Sequence, residues 1–184
     1  MSSSIVTYTG IYFDPLDPVP DLIQVRDIAH SLSNQCRFTG HVRQFYSVAE
    51  HSVRCANFVL DQLDGGKELS LILLMHDASE AYLSDIARPV KHAAGFGDQY
   101  RLIEDGLQRA ISEKFDLPYP FPDIVHAVDN ALLAAEARDL MPVSFGEFPS
   151  LLAYPETIYP MTPVQANAQF LMLYTYLTGE TPGR

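Results

Sequence analysis

Residues 69–75 constrain this chain more than any other segment. They are apolar except for Ser70, and they run directly into His76 and Asp77. Residues 67–82 are apolar almost all round a helical projection, which predicts a helix at the centre of a bundle. A core helix does not ordinarily end in an imidazole beside a carboxylate. Burying that carboxylate is costly without a compensating cation, and a metal ion supplies one.

The surrounding sequence predicts more helices. Residues 26–33 form a short one. Residues 47–63 carry Ser47 as N-cap and Glu50 three places later, the spacing of a capping box, with Val48, Val53, Ala56, Val59 and Leu60 on one face. Residues 98–115 point Leu102, Ile103, Leu107, Ala110 and Ile111 inward, and residues 122–140 follow with Pro122 near the start. A last helix covers about 163–178 and stops at Gly179. Gly10, Pro15, Pro18 and Pro20 mark residues 5–22 as an extended arm with a short strand pair, 5–8 and 10–13. Residues 141–160, rich in proline and aromatics, read as a long loop. The expectation is an all-α, single-domain helical bundle over 1–184. Its core is about 25–140, its N-terminal arm 1–24, and its C-terminal loop and helix 141–184. A chain of 184 residues buries enough surface to fold without disulfides.

The net charge of -11 argues against a grip on duplex nucleic acid, which needs a basic surface. It leaves room for a small phosphorylated substrate held by a few cations and a metal. Cys36 and Cys55 form no CxxC pair and read as buried reduced thiols, as in a reducing cytosol. No apolar run approaches the roughly 18 residues of a membrane span, and the first residues lack the pattern of a signal peptide. The expected location is cytoplasmic, with no membrane partner.

Divalent first-row metals take imidazole nitrogens and carboxylate oxygens held on rigid elements. The chain offers His51, then after 24 residues His76 and Asp77, then after 51 residues Asp129. Alone, His51 also fits a satisfied helix histidine, and Asp129 an ordinary polar residue. The ordered set on three helices is much harder to obtain by accident.

These residues resemble the HD-domain phosphohydrolases. The segment Ala49-Glu50-His51-Ser52 is similar to that surrounding the first histidine in the branch that cleaves deoxynucleotides. The segment from His76 through Glu80 to Asp85 resembles its HDxxE followed by a further Asp, and Arg88-Pro89-Val90-Lys91 its PxK. Arg37-Phe38 stands where those enzymes often carry Arg and an aromatic. The resemblance spans about 25–140. It is strongest to phage and prophage deoxynucleotide hydrolases, including dATP triphosphohydrolases of adenine-excluding phages and related 5'-deoxynucleotidases. It implies an HD-type all-α bundle, a homo-oligomer and a metal site of His51, His76, Asp77 and Asp129. The ion would be Co, Mn, Zn or Fe, with room for additional Mg.

On that basis Glu80, four residues after His76, is expected to orient or deprotonate the attacking water and later protonate the leaving oxygen. Asp85 can bind a sugar 3'-hydroxyl or help protonate a leaving group, or serve as a turn residue. Arg37 and Lys91 are the expected anion receivers, with Arg43 and Arg88 as weaker candidates, although each also fits an ordinary surface charge. Phe38 can stack on base or sugar, or pack in the core. His41 can approach the pocket mouth. Glu136 can steady Arg37 or a ligand from behind. The expected reaction is release of triphosphate from a dNTP such as dATP. Alternatives are a 5'-deoxynucleotidase acting on dNMPs and a catalytically silent nucleotide-binding regulator. An HD-fold di-iron oxygenase is disfavoured because Ala78 follows Asp77, and a cyclic-dinucleotide esterase because there is no GYP motif. Tyr154, Tyr159 and Phe148 suggest a partner face.

Overall fold

The computed structural model describes residues 4–63, 65–142 and 152–183. The protein is mostly α-helical, as expected. Two short antiparallel strands, β1 (Ile5–Val6) and β2 (Tyr12–Phe13), pair Ile5 with Phe13 and Val6 with Tyr12. They are shorter than the sequence suggested, because the Thr7 carbonyl and hydroxyl already close the turn onto Gly10 and Ile11. The arm is anchored on α1 (Val25–Asn34). The buried Asp27 carboxylate accepts from the Thr9 N–H at 2.7 Å and the Thr9 hydroxyl at 2.9 Å.

Helix α2 (Val48–Gln62) begins as its sequence dictates, with the Ser47 hydroxyl accepting from the Glu50 N–H at 3.1 Å. The capping box is only half made. The Glu50 side chain does not return to Ser47; it accepts from Arg54 at 2.7 and 2.9 Å and from the Met161 N–H at 2.7 Å. Glu50 is therefore a buried anchor between α2 and the segment preceding the last helix. Removing it strands Arg54 and an N–H donor, so Glu50→Ala is expected to lose about 3 kcal/mol of stability. Urea unfolding of the two proteins checks this.

Helix α3 (Gly66–Met75) packs against α2 and carries the fully buried Leu73, Leu74 and Met75. The expected continuous helix over 67–82 is corrected here: the α-helix ends at Met75. Ala78, Glu80, Ala81 and Tyr82 donate three residues back, to Met75, Asp77, Ala78 and Ser79. This is a 3-10 tightening that leads into the one-turn α4 (Glu80–Leu83). At three residues per turn Glu80 sits about a third of a turn off the column of His76, not beside it. Thus His76-Asp77 lies on a tight turn after the core helix. Ser84 then adopts φ 73, ψ 152, a region essentially reserved for glycine, and re-aims the chain at Asp85.

A short helix the sequence did not announce, α5 (Arg88–Lys91), precedes α6 (Phe96–Lys114). On α6, Leu107, Ala110 and Ile111 are buried as expected, but Leu102 is 68% exposed, a correction to the proposed inward face. Helix α7 (Asp123–Leu140) contributes Val125, Val128, Ala131 and Leu132 to the core and packs on α2. Helix α8 (Pro163–Thr178) has a full capping box between Thr162 and Gln165. It ends at Gly179 in the left-handed conformation, φ 77, and lies against α1, α2 and α3.

Phe148, in the segment expected to be a loop, lies outside the described residues. Tyr154 is buried edge-on against Phe58, not on a surface, whereas Tyr159 is 78% exposed. Among the described residues no helix is long and apolar enough to cross a membrane.

Candidate metal centre

Three elements bring the candidate ligands together. α2 supplies His51, the turn after α3 supplies His76 and Asp77, and α7 supplies Asp129. His51 is the hub. Its Nε2 lies 3.3 Å from His76 Nε2, 3.3 Å from Asp129 Oδ1 and 3.7 Å from Asp77 Oδ2; His76 Nε2 lies 3.4 Å from the same Asp77 oxygen.

Both imidazoles are oriented from behind. His51 Nδ1 lies 2.6 Å from Glu136 Oε1, and His76 Nδ1 lies 2.6 Å from the Leu73 carbonyl. Those oxygens only accept, so the assigned tautomers carry their protons on Nδ1. The two Nε2 atoms then face each other across 3.3 Å, a gap that takes either a second proton on His51 or a cation. Tetrahedral bonds of about 2.0–2.1 Å to nitrogen or oxygen require donor separations of about 3.3–3.4 Å. The His51–His76, His51–Asp129 and His76–Asp77 spacings fit, whereas the His51–Asp77 separation is longer.

The electrostatics agree. Burial and Arg37 oppose a charge on His51, yet Cys55, Glu136 and Asp129 hold it well above its ordinary value. Burial would raise Asp77 and Asp129, but His76 and His51 keep Asp77 low, and His51, His76 and Arg37 keep Asp129 low. Glu136, fully buried, is held below the usual carboxylate range by Arg37 and His51 despite its burial.

The other expected residues divide into those gathered at the centre and those that are not. Glu80 is buried; its Oε1 accepts from Lys91 Nζ at 2.8 Å and its buried Oε2 has no partner. Burial and the nearby Asp77 push its carboxyl up to about 8, against the pull of Lys91. Lys91 also donates to Glu104 at 2.8 Å, a partner without any sequence signal. Asp85, raised by burial, is positioned by its N–H to Gln35 Oε1 at 3.1 Å. Arg88 reaches Asp129 Oδ2 at 3.5 Å from an exposed position.

Arg37 closes its Nε and Nη2 on Glu136 at 3.2 and 3.1 Å and leaves Nη1 toward Asp77 at 3.6 Å. Phe38 stacks beside that guanidinium, 5.7 Å from ring centre to Cζ. Arg43 is not brought in; it donates to the Pro142 carbonyl beyond α7. His41 is exposed, and its N–H donates to the Phe38 carbonyl.

One donor was missed. Cys55, one helical turn after His51, is buried with Sγ 3.5 Å from His51 Nε2. His51, Cys55 and His76 form a group able to hold a metal ion. The signal was present as a His and Cys at i, i+4 on one helix face.

Uncharacterized protein YfdR of Escherichia coli (strain K12) is 36% identical to this chain over 182 residues, covering 96% of each. The chain belongs to the YfdR family. An uncharacterized protein of Rhodobacter capsulatus is 33% identical over 157 residues, covering 82% of this chain and 79% of that one. No protein-family model matches the chain.

Without metal, the folded protein keeps protons that the unfolded chain gives up. Glu80 holds its proton up to about 8 against an ordinary 4.5, and His51 holds its own above an ordinary 6.5. Unfolding in that window releases protons, so stability falls as pH rises. The metal-stripped protein is expected to melt progressively lower between about pH 6 and 9, and added metal to flatten the trend by replacing those protons. Thermal melts with and without chelator measure this; a chelated protein that gains stability over that range contradicts it.

Proposed function

We propose that this chain is a metal-dependent phosphohydrolase of the HD type that acts on 2'-deoxynucleotides. The observation that carries the reading is the meeting of two Nε2 atoms and two carboxylates beside a buried glutamate with an unpartnered oxygen. His51, His76, Asp77 and Asp129 would hold a divalent transition ion, Co, Mn, Zn or Fe. Such an ion supplies Lewis-acid polarisation of a phosphoryl oxygen and makes water easier to deprotonate.

The remaining work belongs to this chain. Glu80 Oε2 takes a proton from the attacking water as its oxygen bonds to phosphorus, and returns it to the sugar oxygen as the old P–O bond breaks. Lys91 fixes the other oxygen of Glu80 and keeps the carboxylate state accessible. Glu136 holds His51 and Arg37 at once. Arg88, exposed beside Asp129, meets the incoming phosphate, and Asp85 would receive the sugar 3'-hydroxyl. The leading substrate is a dNTP such as dATP, by the resemblance set out above.

A second reading is favoured by a specific observation. Arg37, Lys91 and Arg43 are engaged with Glu136, with Glu80 and Glu104, and with a carbonyl, which leaves Arg88 as the least committed cation of that group. That provision suits the smaller charge of a dNMP. A silent regulator would lack a ligand or Glu80, and this chain has all of them. The homo-oligomer implied by the resemblance would use the outer face of α8, which bears no charged residue and exposes Val164, Met172 and Tyr176.

The test is product analysis with all four dNTPs, dNMPs and their ribose counterparts, after chelation and addition of single metals. Tripolyphosphate with deoxynucleoside selects the first reading, and orthophosphate from monophosphates the second. No hydrolysis with any metal overturns both.

A further inference from the structure

Cys55 is the one donor at this centre that the proposed hydrolase chemistry does not use. It is fully buried, on the same face of α2 as His51, and its Sγ lies 3.5 Å from His51 Nε2. Sγ and the ligand nitrogens of His51 and His76 all lie within 4.8 Å of one another. A tetrahedral ion with bonds of about 2.05 Å to nitrogen and about 2.3 Å to sulfur separates two nitrogens by about 3.3 Å and a nitrogen from a sulfur by about 3.5 Å. The molecule shows 3.3 Å and 3.5 Å for those two edges. Both Nδ1 atoms are tied to oxygens outside that space, so each imidazole presents its Nε2 to it.

We propose that Cys55 is itself a ligand of the ion, and that His51, Cys55 and His76 make a nitrogen–sulfur face selecting a zinc-like ion over manganese or magnesium. This deepens the metal-centre reading and rests on it. When the ion binds, a metal–sulfur bond forms and the thiol proton passes to solvent; no electron is transferred. Thiolate is a soft donor that favours zinc-like and cuprous ions, whereas carboxylate and water suit manganese and magnesium. Asp77 and Asp129, 23% and 21% exposed, bring the shell to five donors from the solvent side, while the nitrogen–sulfur face keeps near-tetrahedral edges.

The test uses the full chain, stripped of metal and titrated with Co²⁺. The expected result is stoichiometric binding with a near-ultraviolet sulfur-to-cobalt charge-transfer band. That band disappears in Cys55→Ser, which still binds Co²⁺, and persists in Cys36→Ser. Zinc over manganese preference, measured by competition, should fall about tenfold or more in Cys55→Ser. Cobalt bound without the band, or a band unchanged in Cys55→Ser, overturns the role of Cys55 and leaves the metal centre standing. No cobalt bound removes the centre itself. Should Cys55→Ser not fold, cadmium NMR of the unaltered protein decides the point, since a sulfur ligand shifts the resonance far from that of a nitrogen–oxygen site.

Discussion

Asp77→Ala is expected to bind no stoichiometric divalent ion and to lose roughly a thousandfold or more in turnover. The carboxylate meets both His51 and His76, at 3.7 and 3.4 Å, and it is the only one of the four ligands to do so besides the histidines themselves. Its removal leaves the imidazole pair with one carboxylate, Asp129, and opens the shell. The loss of rate follows from losing an ion worth several kcal/mol of transition-state stabilisation. The fold should survive. Asp77 is partly exposed on a turn after α3, and Arg37 keeps Glu136 when the weaker 3.6 Å contact to Asp77 is gone. Metal content after dialysis, turnover and a urea midpoint on the same preparation separate these effects. Full metal occupancy in Asp77→Ala would remove it from the ligand set.

Glu80→Gln should give the opposite pattern, with metal retained and turnover reduced by about 10²–10⁴-fold, the usual size of a general acid–base contribution. Glutamine keeps a carbonyl for Lys91 but cannot exchange the proton. The pH profile carries a second signature. Without metal, burial and Asp77 hold the Glu80 carboxyl up to about 8. A divalent cation beside Asp77 opposes that repulsion, so the acidic limb of the rate profile should lie below pH 8 and vanish in Glu80→Gln. An unchanged limb in the variant would assign it to another group.

The sequence was most legible where one physical cause dominates. Ser47 caps α2 because an N-terminal N–H needs an acceptor, and Thr162 and Gly179 bound α8 for equally local reasons. The cost of placing Asp77 after a core run pointed to the candidate metal centre. Other features depend on contacts between elements, which periodicity does not encode. The break after Met75 arises because the chain tightens to three residues per turn, and nothing in its apolar pattern marks that change. Leu102 lies outside because the buried stripe of α6 runs through Gly97, Tyr100, Leu107 and Ile111, on the opposite side of the helix. The Arg37 fork, expected to grip phosphate, is closed by Glu136, the residue whose place on α7 already suggests that contact. Glu50 had the spacing of a capping box and is instead spent on Arg54 and Met161. Cys55 was visible at one helical turn from His51, and was read as a packing thiol because no second cysteine accompanied it.

The convergence of His51, His76, Asp77 and Asp129 on one cation is tested most directly by anomalous diffraction from crystals of the full chain loaded with a transition metal. A single peak about 2.0–2.2 Å from the Nε2 atoms of both histidines and from an oxygen of each aspartate is the predicted result. A peak bound elsewhere, with the two Nε2 atoms bridged by a proton or a water, would contradict it.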